Sequence, residues 1–222
     1  MNSTELEASR LLESGKLSRA KLILKKMLAE NPNSLAAHFH LARVYRRMRK
    51  YKWALRHALR TLKLNPNEEN ACLNLGLIYE EMGKGNLAIA YYKRELQRNP
   101  ESVETLWNFG RLCFERHRWL DSRKYLRRCV EIGYLHEIED TVYKVGQCCY
   151  KLRDLQGYIE VYKRYLQMAP NTPWAAANLG CALLRGKQYR GAVFWLTRAH
   201  ELGVKESVIP ELERAKDALA KN

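Results

Sequence analysis

No stretch of this 222-residue chain is long and apolar enough to cross a bilayer. A spanning helix needs roughly 20 consecutive apolar residues. The best uncharged candidate, Trp174 to Leu184, is eleven residues long and is broken by Asn178 and Gly180. The opening residues, MNSTELEASR, hold two glutamates and no apolar core, so no secretory signal is expected. Glycine and proline are scarce, at 12 and 6, too few for the turn-rich sequence of an all-β protein. The six cysteines form no CxxC pair or other zinc spacing. Vicinal Cys148 and Cys149 could serve redox chemistry, but reduced core thiols are the plainer reading, and the expectation is a cytoplasmic chain. Acids are short too: 24 Asp and Glu face 39 Lys and Arg, a formal charge of +15. That excess asks for an anionic partner, whether nucleic acid, lipid headgroups or an acidic protein.

Catalytic signatures are also missing. GKG at 83–85 lacks the spacing of a phosphate-binding loop. HEIED at 136–140 lacks the second histidine of a zinc-binding helix, and no nucleophile–base set can be inferred. The chain reads as a non-enzyme, with no cofactor and no metal.

What is present is a period. Pro32, Pro66 and Pro100 stand 34 residues apart, inside the phrases LAENPN, LKLNPN and ELQRNPE. Ala20, Ala54, Ala88 and Ser122 keep the same interval, as do Gly76 with Gly110 and Tyr45 with Tyr79. After residue 134 the register slips by two and resumes, with Gly146 and Gly180 again 34 apart. Each unit reads as two amphipathic helices. In the second, Leu41, Ala42 and Tyr45 form one apolar stripe, Arg49 to Lys52 is a break, and Trp53, Ala54, Ala58, Thr61 and Leu62 form the next. Small residues at the Gly76 and Ala54 positions predict close helix approach. The Asn-Pro pairs predict helix ends, because the residue before proline disfavours the α region.

The segment NLGLIYEEMGKGNLAIAYYKRELQRNP (74–100) places Leu75, Gly76, Tyr79, Gly83, Ala88, Tyr92 and Pro100 in a pattern that resembles the tetratricopeptide repeat family. The resemblance implies an all-α, right-handed superhelical solenoid of six helix-turn-helix repeats: 1–34, 35–68, 69–102, 103–136, 139–172 and 173–206. Residues 207–222 are expected to form a capping helix, with Ser207 as its cap, Pro210 in its first turn, and Val208, Leu212, Ala215 and Leu219 covering the last repeat. Three units depart from the family pattern: the first has Glu7 and Ala8 at the Leu-Gly places, the fourth has Tyr134 for proline, and the fifth has Tyr158 for a small residue.

The resemblance also implies a concave groove lined by the first helix of each repeat. Asn74, Asn108 and Asn178 share one place, with His40 and Lys144 at the same place in other units. An amide donates and accepts at once, so it can pair with an extended peptide backbone of any sequence. The alternative is that these amides bridge neighbouring helices. Phe39, Trp107 and Tyr143 share another place, as aromatic anchors or as helix packing. Residues 35–68 hold nine Lys or Arg and one acid, Glu68. Arg43, Arg46 and Arg47 fall there at i, i+3, i+4, and Arg111 lies on the fourth unit's first helix; guanidinium groups so placed suit carboxylates or phosphates. A solvated basic face is the blander reading. The two-carboxylate clamp of the family does not fit Phe39, Arg43, Asn74, Glu104 and Asn108.

The expected function is a scaffold or adaptor that binds a peptide or protein, acidic toward the second repeat. The alternative is nucleic-acid binding through that basic repeat, with a steep salt dependence. Docking on an anionic membrane assembly and self-association stay open.

Overall fold

The computed structural model describes residues 3–133, 137–204 and 206–221, and every regular element among them is an α-helix. Tyr134 and His136 lie outside the described residues. Two compact units divide at Thr105 and Leu106. The first contains α1 (Ser3–Glu13), α2 (Leu17–Glu30), α3 (Leu35–Arg47), α4 (Tyr51–Leu64), α5 (Ala71–Glu81) and α6 (Gly85–Arg98); the division falls within α7 (Val103–Glu115). The second contains α8 (Trp119–Ile132), α9 (Ile138–Lys151), α10 (Leu155–Met168), α11 (Pro173–Arg185), α12 (Tyr189–Glu201) and α13 (Ile209–Ala220). Within the first unit α1 pairs with α2, α3 with α4 and α5 with α6, while α3 also touches α1 and α5. Within the second, α9 pairs with α10 and α11 with α12, and α13 covers α11 and α12.

The helices stop where proline chemistry dictates. Asn31, Asn65, Asn99 and Ala169 each precede a proline and leave the helix in one conformation, with φ of −135°, −137°, −125° and −133°. The proline ring denies each of them the α region. Two of the asparagines then accept from the chain two residues on: Asn31 Oδ1 takes the Asn33 N–H and Asn65 Oδ1 takes the Asn67 N–H, both at 3.0 Å. Inside each hairpin the turn instead passes through a left-handed residue. Glycine fills that place at Gly15 and Gly83, but Arg49, His117, Arg153 and Lys187 fill it elsewhere, with φ between 56° and 58°.

The hairpins close by removing side chains. A Cβ at Gly76 would stand 2.3 Å from the Tyr92 ring, one at Gly110 or Gly180 2.6 Å from Leu126 or Leu196, and one at Gly146 2.7 Å from the Tyr162 hydroxyl. The partner is always sixteen residues downstream. In α3 and α4 the corresponding pair is Ala42 and Ala58, both buried, so a smaller partner makes room for the methyl group. Glu95, 2% exposed, caps α5 from α6 by accepting the N–H groups of Asn70 and Leu73 at 3.3 and 3.2 Å. These are orphan donors of the first helical turn.

Three expectations are corrected. The C-terminal helix starts at Ile209, with Val208 and not Ser207 at the cap position. Val208 is buried there, so packing takes the place of a side-chain hydrogen bond. Leu219 is 36% exposed in the last turn, whereas Leu212 and Ala215 are buried. Trp53, expected on the apolar stripe of its helix, is 51% exposed, because it lies one residue around the helix from the buried Ala54.

Candidate partner-binding site

The first unit carries Phe39, His40, Arg43, Arg46 and Arg47 on α3 and Asn74 on α5. Ser34 sets the start of α3 by accepting the Ala37 N–H at 3.3 Å, which fixes the phase of this stripe. The Arg43 guanidinium lies over the Phe39 ring, 5.9 Å from its centroid. Burial holds Arg43 below the ordinary guanidinium range, against the pull of Glu104. His40 is buried, with Nε2 3.8 Å from a Glu5 carboxylate oxygen. Burial first, and Arg43 second, lowers its pKa, so the ring is neutral at pH 7.

The three arginines do not act as one cluster. Arg46 pairs with Glu81 on α5, and Arg47 donates to the Leu12 carbonyl at the end of α1. Arg43 is half-buried over Phe39, within the field of Glu104 and Glu13. Nor do the amides form a freely accessible ladder, since Asn74 and Asn108 are only 5% and 7% exposed. What marks the stripe is unmet polarity. His40 Nδ1, Arg46 Nε and Asn74 Oδ1 are buried with no hydrogen-bond partner, and so is Trp107 Nε1 in the second unit.

In the second unit the chosen residues are more fully engaged. Arg111 lies 5.4 Å from the Trp107 ring centroid and pairs with Glu115. Lys144 pairs with Asp140 and sits 5.7 Å from the Phe114 centroid, while Tyr143 is half exposed. Asn178 Oδ1 accepts the Tyr158 hydroxyl at 3.1 Å. Tyr158 therefore reaches from α10 to α11, and with Cys149, Arg153, Asn178, Cys181 and Arg185 it lines a pocket of about 360 Å3. The departure of Tyr158 from the small-residue pattern was the signal for this pocket. Burial pushes the Cys149 thiol up to about 11 and Cys129 up to about 12, so these sulfurs are not activated nucleophiles. None of the six cysteines is in a disulfide. Among the described residues no group of His, Cys, Asp and Glu is arranged to hold a metal, and no helix is long and apolar enough to cross a membrane.

Sequence reasoning missed His38 and His57. Their ring Nδ1 atoms stand 2.9 Å apart at the base of a second pocket, which Trp53, Arg56, Leu59, Arg60 and Lys63 line on α4. They lie nineteen residues apart and carry no local spacing signal.

Consecutive helical hairpins closed by small-on-large contacts define an all-α helical-repeat solenoid. Residues 11–75 and 71–104 match the family described as Tetratricopeptide repeat, and the chain is a tetratricopeptide-repeat protein. No curated protein matches the sequence. Among solved structures, the C-terminal part of a tetratricopeptide repeat-containing protein from Cytophaga hutchinsonii aligns with a TM-score of 0.69 at 16% identity, over 98% of this chain and 84% of that one. YrrB, described as a tetratricopeptide-repeat protein with an unusual peptide-binding site, aligns at 0.62 and 16% identity over 86% and 97%. MamA aligns at 0.58 and 22% identity over 78% and 93%.

Proposed function

We propose that the chain is a non-catalytic scaffold that binds a peptide segment of another protein on the stripe that runs from α3 to α5, with an acidic residue of the partner at Arg43. The carrying observation is the set of buried, unpartnered polar atoms there: His40 Nδ1, Arg46 Nε and Asn74 Oδ1. Each such atom costs about 1–3 kcal/mol while unmet. A peptide backbone brings one donor and one acceptor per residue and can meet them, once the side chains that cover them turn aside, without regard to its own side chains. Phe39 and Arg43 then read sequence through an aromatic face and a cation. The stripe of Trp107, Asn108, Arg111, Tyr143, Lys144 and Asn178 belongs to the same reading, with the Trp107 indole N–H as its unmet donor. The peptide-binding description of YrrB supports this ligand class. Six cysteines with no disulfide among them support a reducing, cytoplasmic setting.

The test is selection from a displayed peptide library, followed by affinity measurement on the selected peptides. Asn74→Ala is expected to weaken all of them by about 1–3 kcal/mol, irrespective of their sequence. Arg43→Glu should remove the acidic ones selectively. Affinities unchanged in both variants sink the reading, and recovery of nuclease-sensitive material in a parallel pull-down favours nucleic acid instead.

A further inference from the structure

α3 has two working faces. With about 3.6 residues per turn, His38 and Tyr45 lie roughly half a turn away from His40 and Arg43. They face α4, where Tyr45 stacks on Trp53 and His57 with ring centroids 6.1 and 5.5 Å apart, and His57 lies 5.1 Å from His38. Hydrogen bonding fixes the tautomers in this row. The Pro32 carbonyl can only accept, so His38 Nε2, 3.1 Å away, carries the proton. His38 Nδ1 must then accept from His57 Nδ1–H, which leaves His57 Nε2 without a proton.

This rigid aromatic row borders an open pocket of about 680 Å3, walled by Leu28, Trp53 and Leu59 and by Arg56, Arg60 and Lys63. Trp53 and Leu59 are 51% and 45% exposed. Helix α4 contains no acid at all, and no ion pair holds Arg56 or Lys63 among the described residues. Arg56, Arg60 and Lys63 stand at i, i+4 and i+7, one stripe of a helix.

We infer that this outer side of α4 is a second docking surface, separate from the peptide stripe, and that its occupant is an acidic amphipathic helix of a partner protein. Three cations at helical intervals match carboxylates at the same intervals on a helix laid alongside. Trp53 and Leu59, interleaved with them, take that helix's apolar side chains. A nucleic-acid strand fits less well. Trp53 is stacked on by Tyr45 and approached by the Arg56 guanidinium at 5.7 Å, which obstructs its use as a platform for a base.

The probe is a fluorescein-labelled helix of Glu and Leu in amphipathic register, tested against a scrambled peptide of the same composition, a labelled oligouridylate, and phosphatidylcholine–phosphatidylserine vesicles. The full chain is expected to bind the amphipathic helix. Arg56→Glu with Lys63→Glu, and separately Trp53→Ala, should each weaken binding at least about tenfold. Arg43→Glu should leave it unchanged, which separates this surface from the peptide stripe. Melting temperatures check that the variants fold, and Arg56→Gln with Lys63→Gln is the milder pair if charge reversal lowers them. Equal affinity in folded variants, equal affinity for the scrambled peptide, or a preference for oligouridylate or vesicles each overturns the inference.

Discussion

Helices α4 and α8 occupy the same place in their hairpins, 68 residues apart, and both are 14 residues long, yet they present charge in opposite ways. In α8, Arg127 and Arg128 both reach Glu131, Arg127 also reaches Glu160, and Arg123 pairs with Asp154. In α4 the residue that corresponds to Glu131 is Lys63, and that to Asp121 is Trp53. The cations of α8 are met partly by its own Glu131 and partly by Asp154 and Glu160 beyond it, whereas α4 has no acid of its own. Net charge alone does not separate these cases; what matters is whether a carboxylate lies one turn away.

The packing beneath the two helices offers the sharpest way to probe the comparison. Gly110→Ala would put a methyl group 2.6 Å from Leu126 Cγ and 3.2 Å from its backbone nitrogen, so the chain itself must move. The expected loss is about 1–3 kcal/mol of stability. Ala58→Leu, which rebuilds that crowding opposite Ala42, should cost as much, and adding Ala42→Gly should recover most of it. Thermal melts of these variants decide it: if the double variant gains nothing over Ala58→Leu alone, the two interfaces are not equivalent.

A smaller effect separates the helices in acid. His57 in α4 corresponds to Tyr125 in α8, which does not ionise there. Burial, followed by His38 and Arg56, depresses His57 to about 4, while in the unfolded chain it titrates near 6.5. The unfolded state therefore binds the extra proton first. The contribution is intact above about pH 6.5 and is lost as pH falls toward 4. His57→Asn, which keeps an amide donor for His38, should flatten the fall in melting temperature between neutral and mildly acidic buffer. His38 and His40, also depressed chiefly by burial, keep a residual slope. An unaltered slope in the variant would show that His57 is not its source.

The least perturbing change converts one helix toward the other. Glu131→Gln removes one carboxylate partner from Arg127 and from Arg128 at a cost within about 1 kcal/mol, as for exposed pairs generally. It should give α8 a weak, salt-sensitive attraction for the Glu–Leu helix. No gain in binding at low salt would mean that unpaired cations without Trp53 and Leu59 are not enough.

The hairpin architecture was legible in the sequence because its determinants are local and recur: Asn-Pro at the exits, Gly76 and its counterparts at the crossings. The state of the candidate site was not, because its partners lie about one repeat away. Arg46 meets Glu81 and Arg47 meets Leu12, each 35 residues distant, so the apparent triad at i, i+3, i+4 splits toward both neighbours. Asn74 and His40 share one place in their repeats, and both are buried there. Their burial follows from the closeness of α3 and α5, which no single-helix pattern reports. Glu95 gave no signal for the same reason, since it caps a helix that begins 24 residues before it.

The left-handed turns carry a consequence for the order of folding. An L residue at positive φ costs about 1–2 kcal/mol relative to glycine, and Arg49, His117, Arg153 and Lys187 all sit there. The cationic side chains of Arg49, Arg153 and Lys187 lie just past helix C-termini, where the carbonyl ends favour positive charge and offset part of that cost. Closure at these four hairpins would thus be driven by the helix interface and completed at the turn, whereas Gly15 and Gly83 let α1–α2 and α5–α6 turn without waiting for burial. The chain would then begin to assemble from its glycine turns, with α3 and α4, and the surface α4 presents, joining afterwards.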